Sequence, residues 1–348
     1  MIRTAVLSTL LLVLAMLPAH GAPAPLGLFT IVDGDVVVLR DTHEFAAAEG
    51  LAVRGDDIVR SRDAARLARI EFTDGTVLDI GPASELMLQP DAFAAQAGGG
   101  VSLYLLRGWL KATTGPGKGA PTATLVSPQL GVARVAGSVV VHAAPTVALA
   151  FVESGRADVL ERAAGRPEAS HGLNDGDAFV AMNGAPGELR RRVPQDLTQG
   201  MPRAFTDSLP RRAAQWQGRS VQPGPPSEPG YASLAPWLNA EAALRPPFVK
   251  RFRPLAHDRA FRASVVADLR AHPEWGWVVF PDKYKTRSKP VVAERRPTAS
   301  PTTVAERKAR PAAPGPSVAP APPAPPPAAV TAPATDAAIA QAPKTETP

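Results

Sequence analysis

Residues 68–86 read ARIEFTDGTVLDIGPASEL, and this stretch decides the fold class. Its first five residues alternate between apolar and polar side chains, which is the two-residue period of a strand with one buried face. The Asp74-Gly75 pair then interrupts the run, and a second strand-like run follows at residues 76–80. An Asp-Gly pair between two such runs predicts a β-hairpin whose turn residues both take positive φ.

The same pattern of short apolar runs and turn residues continues on both sides of this hairpin. Other short runs rich in apolar residues, separated by glycine and aspartate, lie at residues 36–38, 102–111, 138–142, 147–152 and 178–182. Many short strands with turn signals between them favour a sandwich or a coiled β-stack over alternating βαβ units. The sequence therefore predicts a mainly β fold, with an antiparallel β-rich domain that spans residues 26–193.

Five segments of this region resemble, in their order and spacing, the signature of the FecR domain over residues 27–160. They are GDDIVRS at 55–61, the hairpin stretch at 68–86, LLRGWL at 105–110, SP and VAGSVVV at 127–128 and 135–141, and FVESGRADV at 151–159. The resemblance implies an all-β domain outside the cytoplasm that binds or senses rather than catalyses. The founding members combine a cytoplasmic anti-sigma segment, a membrane helix and a periplasmic part that contacts an outer-membrane transporter. This sequence starts instead with an export signal, so we expect the fold and a binding role rather than sigma-factor regulation.

The first 21 residues have the pattern of a signal peptide. Arg3 provides a positive charge, residues 5–17 are apolar, and the small residues Ala19 and Gly21 fit a cleavage site after Gly21. The apolar run is shorter than the ~20 residues of a membrane-spanning helix, although an uncleaved anchor remains the alternative. We therefore expect an exported, periplasmic protein. The sequence has no cysteine, which argues against a lipoprotein and excludes disulfides and cysteine-bound metals.

The net charge of +6 is concentrated near the C-terminal end. Residues 282–310 contain nine basic and three acidic side chains, which account for the whole excess. A nearly neutral folded part argues against nucleic-acid binding, which usually requires a basic face. Many of the 39 prolines follow Pro281, so residues 282–348 are predicted to be a disordered tail, first basic and then rich in proline and alanine. Its basic stretch is either a contact for anionic envelope surfaces or a solvated linker.

Residues 194–280 are predicted to form a small helical extension with a linker at 221–230. Leu197, Met201 and Phe205 recur every four residues, as on one face of a helix. Ser233 is a candidate N-cap, and Asp258 is a stronger one, for a helix over residues 259–272.

The extension is also rich in aromatic residues, namely Trp237, Phe248, Phe252, Phe261, Trp275, Trp277 and Phe280. They either pin the helices onto the β-domain or form a docking surface for a protein or a glycan. In the second case, replacing Trp275 or Trp277 should weaken binding.

No residue is assigned a catalytic, cofactor-binding or metal-binding role. The histidines at positions 43, 142, 171, 257 and 272 form no metal-binding or catalytic pair, and His142 is interpreted as a half-buried strand residue. The repeated Asp-Gly pairs favour turn formation over a calcium site. The carboxylates Asp56-Asp57 and Asp175/Asp177 are neighbours in predicted turns, whereas acid–base catalysis requires two carboxylates across a cleft.

The preferred function is therefore a non-enzymatic periplasmic binding, sensing or scaffold module, without a cofactor. Its expected partner is an envelope protein or a cell-wall polymer. The alternatives are a protein that binds the cell wall or carbohydrate, and a hydrolase of envelope polymers.

Overall fold

The β-region forms one continuous sheet in the computed structural model of the protein. The structure describes residues 24–96, 100–115, 123–162 and 169–284. The described residues contain fifteen strands, and every pairing between them is antiparallel except that of β9 with β10. The prediction of a mainly β fold followed by short helices is confirmed. The strands are β1 Gly27–Asp33, β2 Val36–Arg40, β3 His43–Ala46, β4 Ala52–Val53, β5 Ile58–Ser61, β6 Leu67–Phe72, β7 Val77–Ile80, β8 Glu85–Leu88, β9 Ser102–Thr113, β10 Ala123–Val126, β11 Leu130–Ala144, β12 Val147–Glu161, β13 Ala169–Asn174, β14 Ala178–Met182 and β15 Glu188–Arg190.

The sheet folds into two layers because three long strands belong to both. In the front layer the strand order is β3-β2-β5-β8-β9-β10-β11-β12-β13. In the back layer it is β4-β1-β6-β7-β9-β11-β12-β14-β15. The first half of β9 pairs with β8 and β10, and its second half pairs with β7 and β11. Strands β11 and β12 likewise pass from one layer to the other, which gives a sandwich-like arrangement.

Glycines mark the points where the three long strands bend. Gly108 in β9, Gly137 in β11 and Gly155 in β12 all have positive φ, a conformation that side chains with a Cβ rarely adopt. Gly137 and Gly155 are paired in register, and a Cβ on either would collide with the backbone of the facing strand. The bend therefore depends on the absence of side chains at these positions.

The hydrophobic core lies between the two layers. It combines front-layer side chains such as Val38 and Leu103 with back-layer side chains such as Phe29 and Leu78, all of them fully buried. The Asp74-Gly75 hairpin is present between β6 and β7, but only Gly75 takes positive φ. The Asp74 carboxylate instead accepts a hydrogen bond from the backbone N–H of Thr76 at 2.8 Å, so the turn differs from the one predicted.

The C-terminal helices cover the outer faces of both layers. The α-helices of the described part are α1 Gln195–Gly200, α2 Tyr231–Leu238, α3 Arg245–Phe252, α4 Arg259–Ala267, α5 Gly276–Val279 and α6 Pro281–Tyr284. Shorter 3-10 turns lie at Asp91–Gln96, Arg203–Thr206, Ala213–Trp216, Arg253–His257 and Pro273–Trp275. Leu197 and Phe205 pack on the back layer, whereas α2 to α5 pack on the front layer.

Between the residues that pack on the back layer and the helices that pack on the front layer, the chain passes around one side of the sandwich. Residue Val221 forms a β-bridge with Leu51 next to β4, and Ser227 forms another with Glu44 in β3. The Trp216 ring lies over Gly50 on the same side. The segment predicted as a linker at 221–230 thus covers the outermost strands of both layers.

The helix signals are confirmed in part. Asp258 is the N-cap of α4 and accepts a hydrogen bond from the N–H of Phe261 at 2.7 Å, although the helix ends at Ala267. The prediction for Ser233 is wrong, because α2 starts after Gly230 and Ser233 bonds to the β-domain instead. The helical face through Phe205 is divided into two short helices, since Pro202 lies between them.

The predicted signal peptide lies outside the described residues, as does nearly all of the predicted tail, from residue 285 onwards. Within the described ranges, none of the helices combines the length and the apolar character needed to cross a bilayer.

Candidate functional site

His142, Asp57, Asp175 and Asp177 make structural contacts, whereas His43 and His257 are exposed. Among the described residues, no three His, Cys, Asp or Glu side chains are grouped so that they could hold a metal ion. His142 is half-buried, stacks on Trp109 with ring centroids 4.0 Å apart, and contacts the Gly108 carbonyl through Nδ1 at 3.0 Å. Burial lowers its pKa. This environment agrees with the interpretation of His142 as a packed strand residue.

The paired carboxylates organise turns. Asp57 is buried and forms a two-pronged ion pair with Arg40, with N–O distances of 2.8 and 2.6 Å, and it accepts a bond from the N–H of Arg54. Asp175 accepts a bond from the Gly155 N–H, and Asp177 accepts one from the Asn174 N–H. Asp57 and Asp177 thus each close their own turn with one local bond. Asp57 and Asp175 also connect their turns to β2 and to the bend of β12.

Most of the aromatic residues in the extension are core residues. Trp237, Phe248, Phe252, Phe261 and Trp275 are buried in one cluster with front-layer side chains. Their burial supports the interpretation that they pin the helices onto the β-domain.

Only one of the two tryptophans considered for a docking surface is accessible to a glycan. Trp275 is fully buried and cannot stack on a ligand, whereas Trp277 is 41% exposed. The guanidinium of Arg253 lies 5.2 Å from the Trp277 ring centroid, so this ring already has a cationic neighbour.

Buried charges on the strands anchor the extension, and sequence reasoning did not identify them. Arg60 on β5 donates to Glu85 at 2.9 Å, to the Ser233 hydroxyl at 2.7 Å and to the Ser233 carbonyl at 2.5 Å. It also bonds to Glu44, whose second carboxylate oxygen accepts from the Ser233 hydroxyl. The start of α2 is therefore fixed to the front layer by a network of charge-assisted hydrogen bonds.

A second set of charges anchors the back layer. Arg69 and Asp79 form a buried two-pronged ion pair, and Arg69 also donates to the Leu209 carbonyl at 3.0 Å. The carboxylate of Glu71 accepts the backbone N–H groups of Arg212 and Ala213. These residues resemble solvent-facing strand positions in the sequence, which explains why no signal revealed their role.

A cleft of about 830 Å³ lies between the turn at residues 54–57 and helix α3. Arg251 spans one wall and donates to the carbonyls of Leu39, Asp41 and Asp56 at 2.7–3.0 Å. Burial lowers the pKa of Arg251, while burial and then the charge of Asp91 raise the pKa of Asp56. The cleft is lined by equal numbers of basic and acidic side chains, so its charge selects neither an anion nor a cation.

The two sides of the sandwich differ in how their outermost strands are covered. On one side, β3 and β4 are covered by residues 216–227, as described above. On the other side, β13 and β15 end the two layers, and within the described residues neither has a further strand paired to it. We call the side formed by β13 and β15 the open side. Its outer edges are paired with no other strand of the described part, and an edge of this kind can accept another strand.

Comparisons with known proteins give a distant likeness. Two crystal structures of a protein described as a "putative anti-sigma factor" from Parabacteroides distasonis ATCC 8503 match with 16% identity and a TM-score of 0.33. Each match covers 40% of this chain and 62% of that one, so the chain spans less than two thirds of the protein it matches. No family model matches the chain, and no curated protein is significantly similar.

Proposed function

We propose that the protein is a non-enzymatic binding or sensing module of the cell envelope, and that a partner protein docks on its open side. The observation that carries this proposal is the difference between the two sides of the sandwich. The chain covers the strands β3 and β4 with its own residues and leaves β13 and β15 unpaired within the described part. Uncovered edge strands promote unwanted association unless they are protected or used, and strand addition is a common mode of peptide recognition.

The export signal expected at residues 1–21 supports a location in the periplasm. The partner would then be an envelope protein, as the FecR-like segments also suggest. The buried charges that anchor the extension support a module whose helices brace the β-domain and leave the open side for binding.

Site-specific photo-crosslinking in intact cells tests this function. A photo-reactive residue replaces Ser170 on β13 or Leu189 on β15, both of which are exposed, and mass spectrometry identifies the adducts. The matched control is Gln217, which is exposed on the covered side. We expect a defined protein adduct from the open side and none from Gln217. Equal adducts from both sides, or adducts only to wall material, would contradict the proposal.

A further inference from the structure

The strands β13 and β15 offer different chemistry to a partner. Strand β13 carries no Asp, Glu, Lys or Arg side chain, and its polar residues are Ser170, His171 and Asn174. Strand β15 carries Glu188, Leu189 and Arg190 and continues into two further arginines at positions 191 and 192. The basic and apolar character of the open side is thus concentrated on β15.

The side chains of the three arginines are exposed to solvent and form few ion pairs within the described residues. Arg190 pairs with Glu188 at 2.6 Å, and both side chains are at least half exposed. The Arg191 side chain is 93% exposed and lies 3.8 Å from Asp177. Arg192 is exposed and has no ion pair within the described residues. The exposed Arg190–Glu188 pair contributes little energy, and the Arg191–Asp177 contact is long at 3.8 Å, so an incoming carboxylate can compete with both.

The two faces of β15 carry different side chains, and this determines which residue types a neighbouring strand would place on each face. Leu189 is paired with Phe179, so its side chain lies on the face of the inner core. It is nevertheless 52% exposed, because no strand lies beyond it in the described part. Glu188 and Arg190 are paired with Val180 and Ala178 and share the outer face. A neighbouring strand would therefore place apolar residues beside Leu189 and charged residues beside Arg190.

A second copy of this chain is a poor occupant of the same edge. In an antiparallel register centred on Arg191, a second β15 would place Arg190 opposite Arg192, and like charges on facing strands are destabilising. The register centred on Leu189 would place Glu188 opposite Arg190, but it would join only three residues of each strand. Charged residues on edge strands commonly prevent such self-pairing. The same charges attract a strand of opposite sign.

We propose that β15 binds, as an added strand, an extended partner segment in which apolar and acidic residues alternate. This inference rests on the proposed function and specifies its partner. The apolar residues cover Leu189 at the margin of the core, and the acidic residues pair with Arg190 on the outer face and with Arg191 and Arg192 where the chain bends directly after β15.

Fluorescence anisotropy with a labelled peptide of alternating valine and glutamate tests this binding on the full-length protein. We expect the peptide to bind and its affinity to fall with added salt. The double variant R191E/R192E should bind about tenfold more weakly, since both charges are reversed. The matched control is R211E/R219E, which makes the same charge change at exposed arginines elsewhere on the surface. Its affinity should not change.

Two altered peptides separate strand pairing from general charge attraction. One replaces glutamate with lysine, and the other keeps glutamate but carries N-methyl groups on alternate residues, which removes backbone donors. Both should lose binding. The proposal is overturned if the valine–glutamate peptide fails to bind, if either altered peptide binds equally well, or if R211E/R219E weakens binding as much as R191E/R192E. A protein crosslink from Leu189 in cells together with any of these results would leave the proposed function intact and reject this partner chemistry.

Discussion

At the scale of single residues, buried titratable groups bind the extension to itself as well as to the β-domain. His272 is fully buried, and its ring contacts Asn239 through Nδ1 and the Tyr231 hydroxyl through Nε2, each at 3.3 Å. The Tyr231 hydroxyl in turn donates to Asp268 at 2.8 Å. Burial lowers the pKa of His272, although the nearby carboxylates of Glu274 and Asp268 act in the opposite direction. The folded protein therefore favours the neutral ring.

This environment predicts a loss of stability in acid. The folded-state pKa of His272 lies below its ordinary value near 6.5, so the unfolded chain takes up the proton first as the pH falls. The contribution of His272 is fully present above about pH 6.5 and is lost as the pH falls through that value towards the folded-state pKa. Urea unfolding between pH 8 and pH 5 measures it. The variant H272Q should show a smaller decrease in the free energy of unfolding over this range.

The control for this prediction is H43Q, because His43 is exposed. It should keep the acid dependence of the native chain. We expect His142, whose pKa burial also lowers, to contribute to the dependence that H272Q retains. An unchanged pH dependence in H272Q would show that His272 is protonated in the fold as readily as in the unfolded chain.

At the scale of elements, the bends of the long strands predict which glycines the fold requires. In the variant G137A, a residue with a Cβ would need positive φ and would collide with the backbone at Ser154. We expect the free energy of unfolding to fall by about 3 kcal/mol or more. The control G172A lies on β13, has ordinary φ, and would meet its nearest neighbour at 3.8 Å. If thermal or urea unfolding gave equal stability for the two variants, the bend would not depend on Gly137.

The elements also show what the sequence could predict. The run at 178–182 coincides with β14, because its apolar residues are continuous. The runs at 138–142 and 147–152, by contrast, are only parts of β11 and β12. Glycine and exposed polar residues at the bends interrupt the apolar alternation there, so each long strand looked like a short one. Strand β15 was missed altogether, since three exposed residues carry no periodic signal.

At the scale of the whole molecule, residues 194–284 complete the fold by covering surfaces that the strands leave apolar. The outer face of the front layer includes Tyr104 and Met87, and that of the back layer includes Trp109 and Val140, all of them buried in clusters that contain residues of the extension. Packing of the helices on the β-domain was one of the two interpretations of the aromatic residues, but the sequence did not show which surfaces are covered, because that depends on contacts between distant residues such as Arg60 and Ser233.

A truncation tests the role of the extension. A chain that ends after Arg192 should expose both outer faces, bind a hydrophobic dye and associate in gel filtration, because large apolar patches are rarely tolerated on a soluble monomer. A chain that ends after Arg287, the limit of the compact unit, is the control and should remain free of dye. A monomeric, dye-free protein from the shorter chain would mean that the β-domain is stable alone.

The helices that cover the sheet follow β15 in the sequence, so they are synthesised after all the strands. A ribosome releases the strands first, so all fifteen are available before α2 to α5, which cover the front layer, have been made. At about 5–20 residues per second, the stretch between them takes several seconds to synthesise. A β-domain that paired its strands in that interval would carry bare aromatic and aliphatic surface. The order of the elements thus creates a period in which a chaperone that shields such a surface would decide the yield of folded protein.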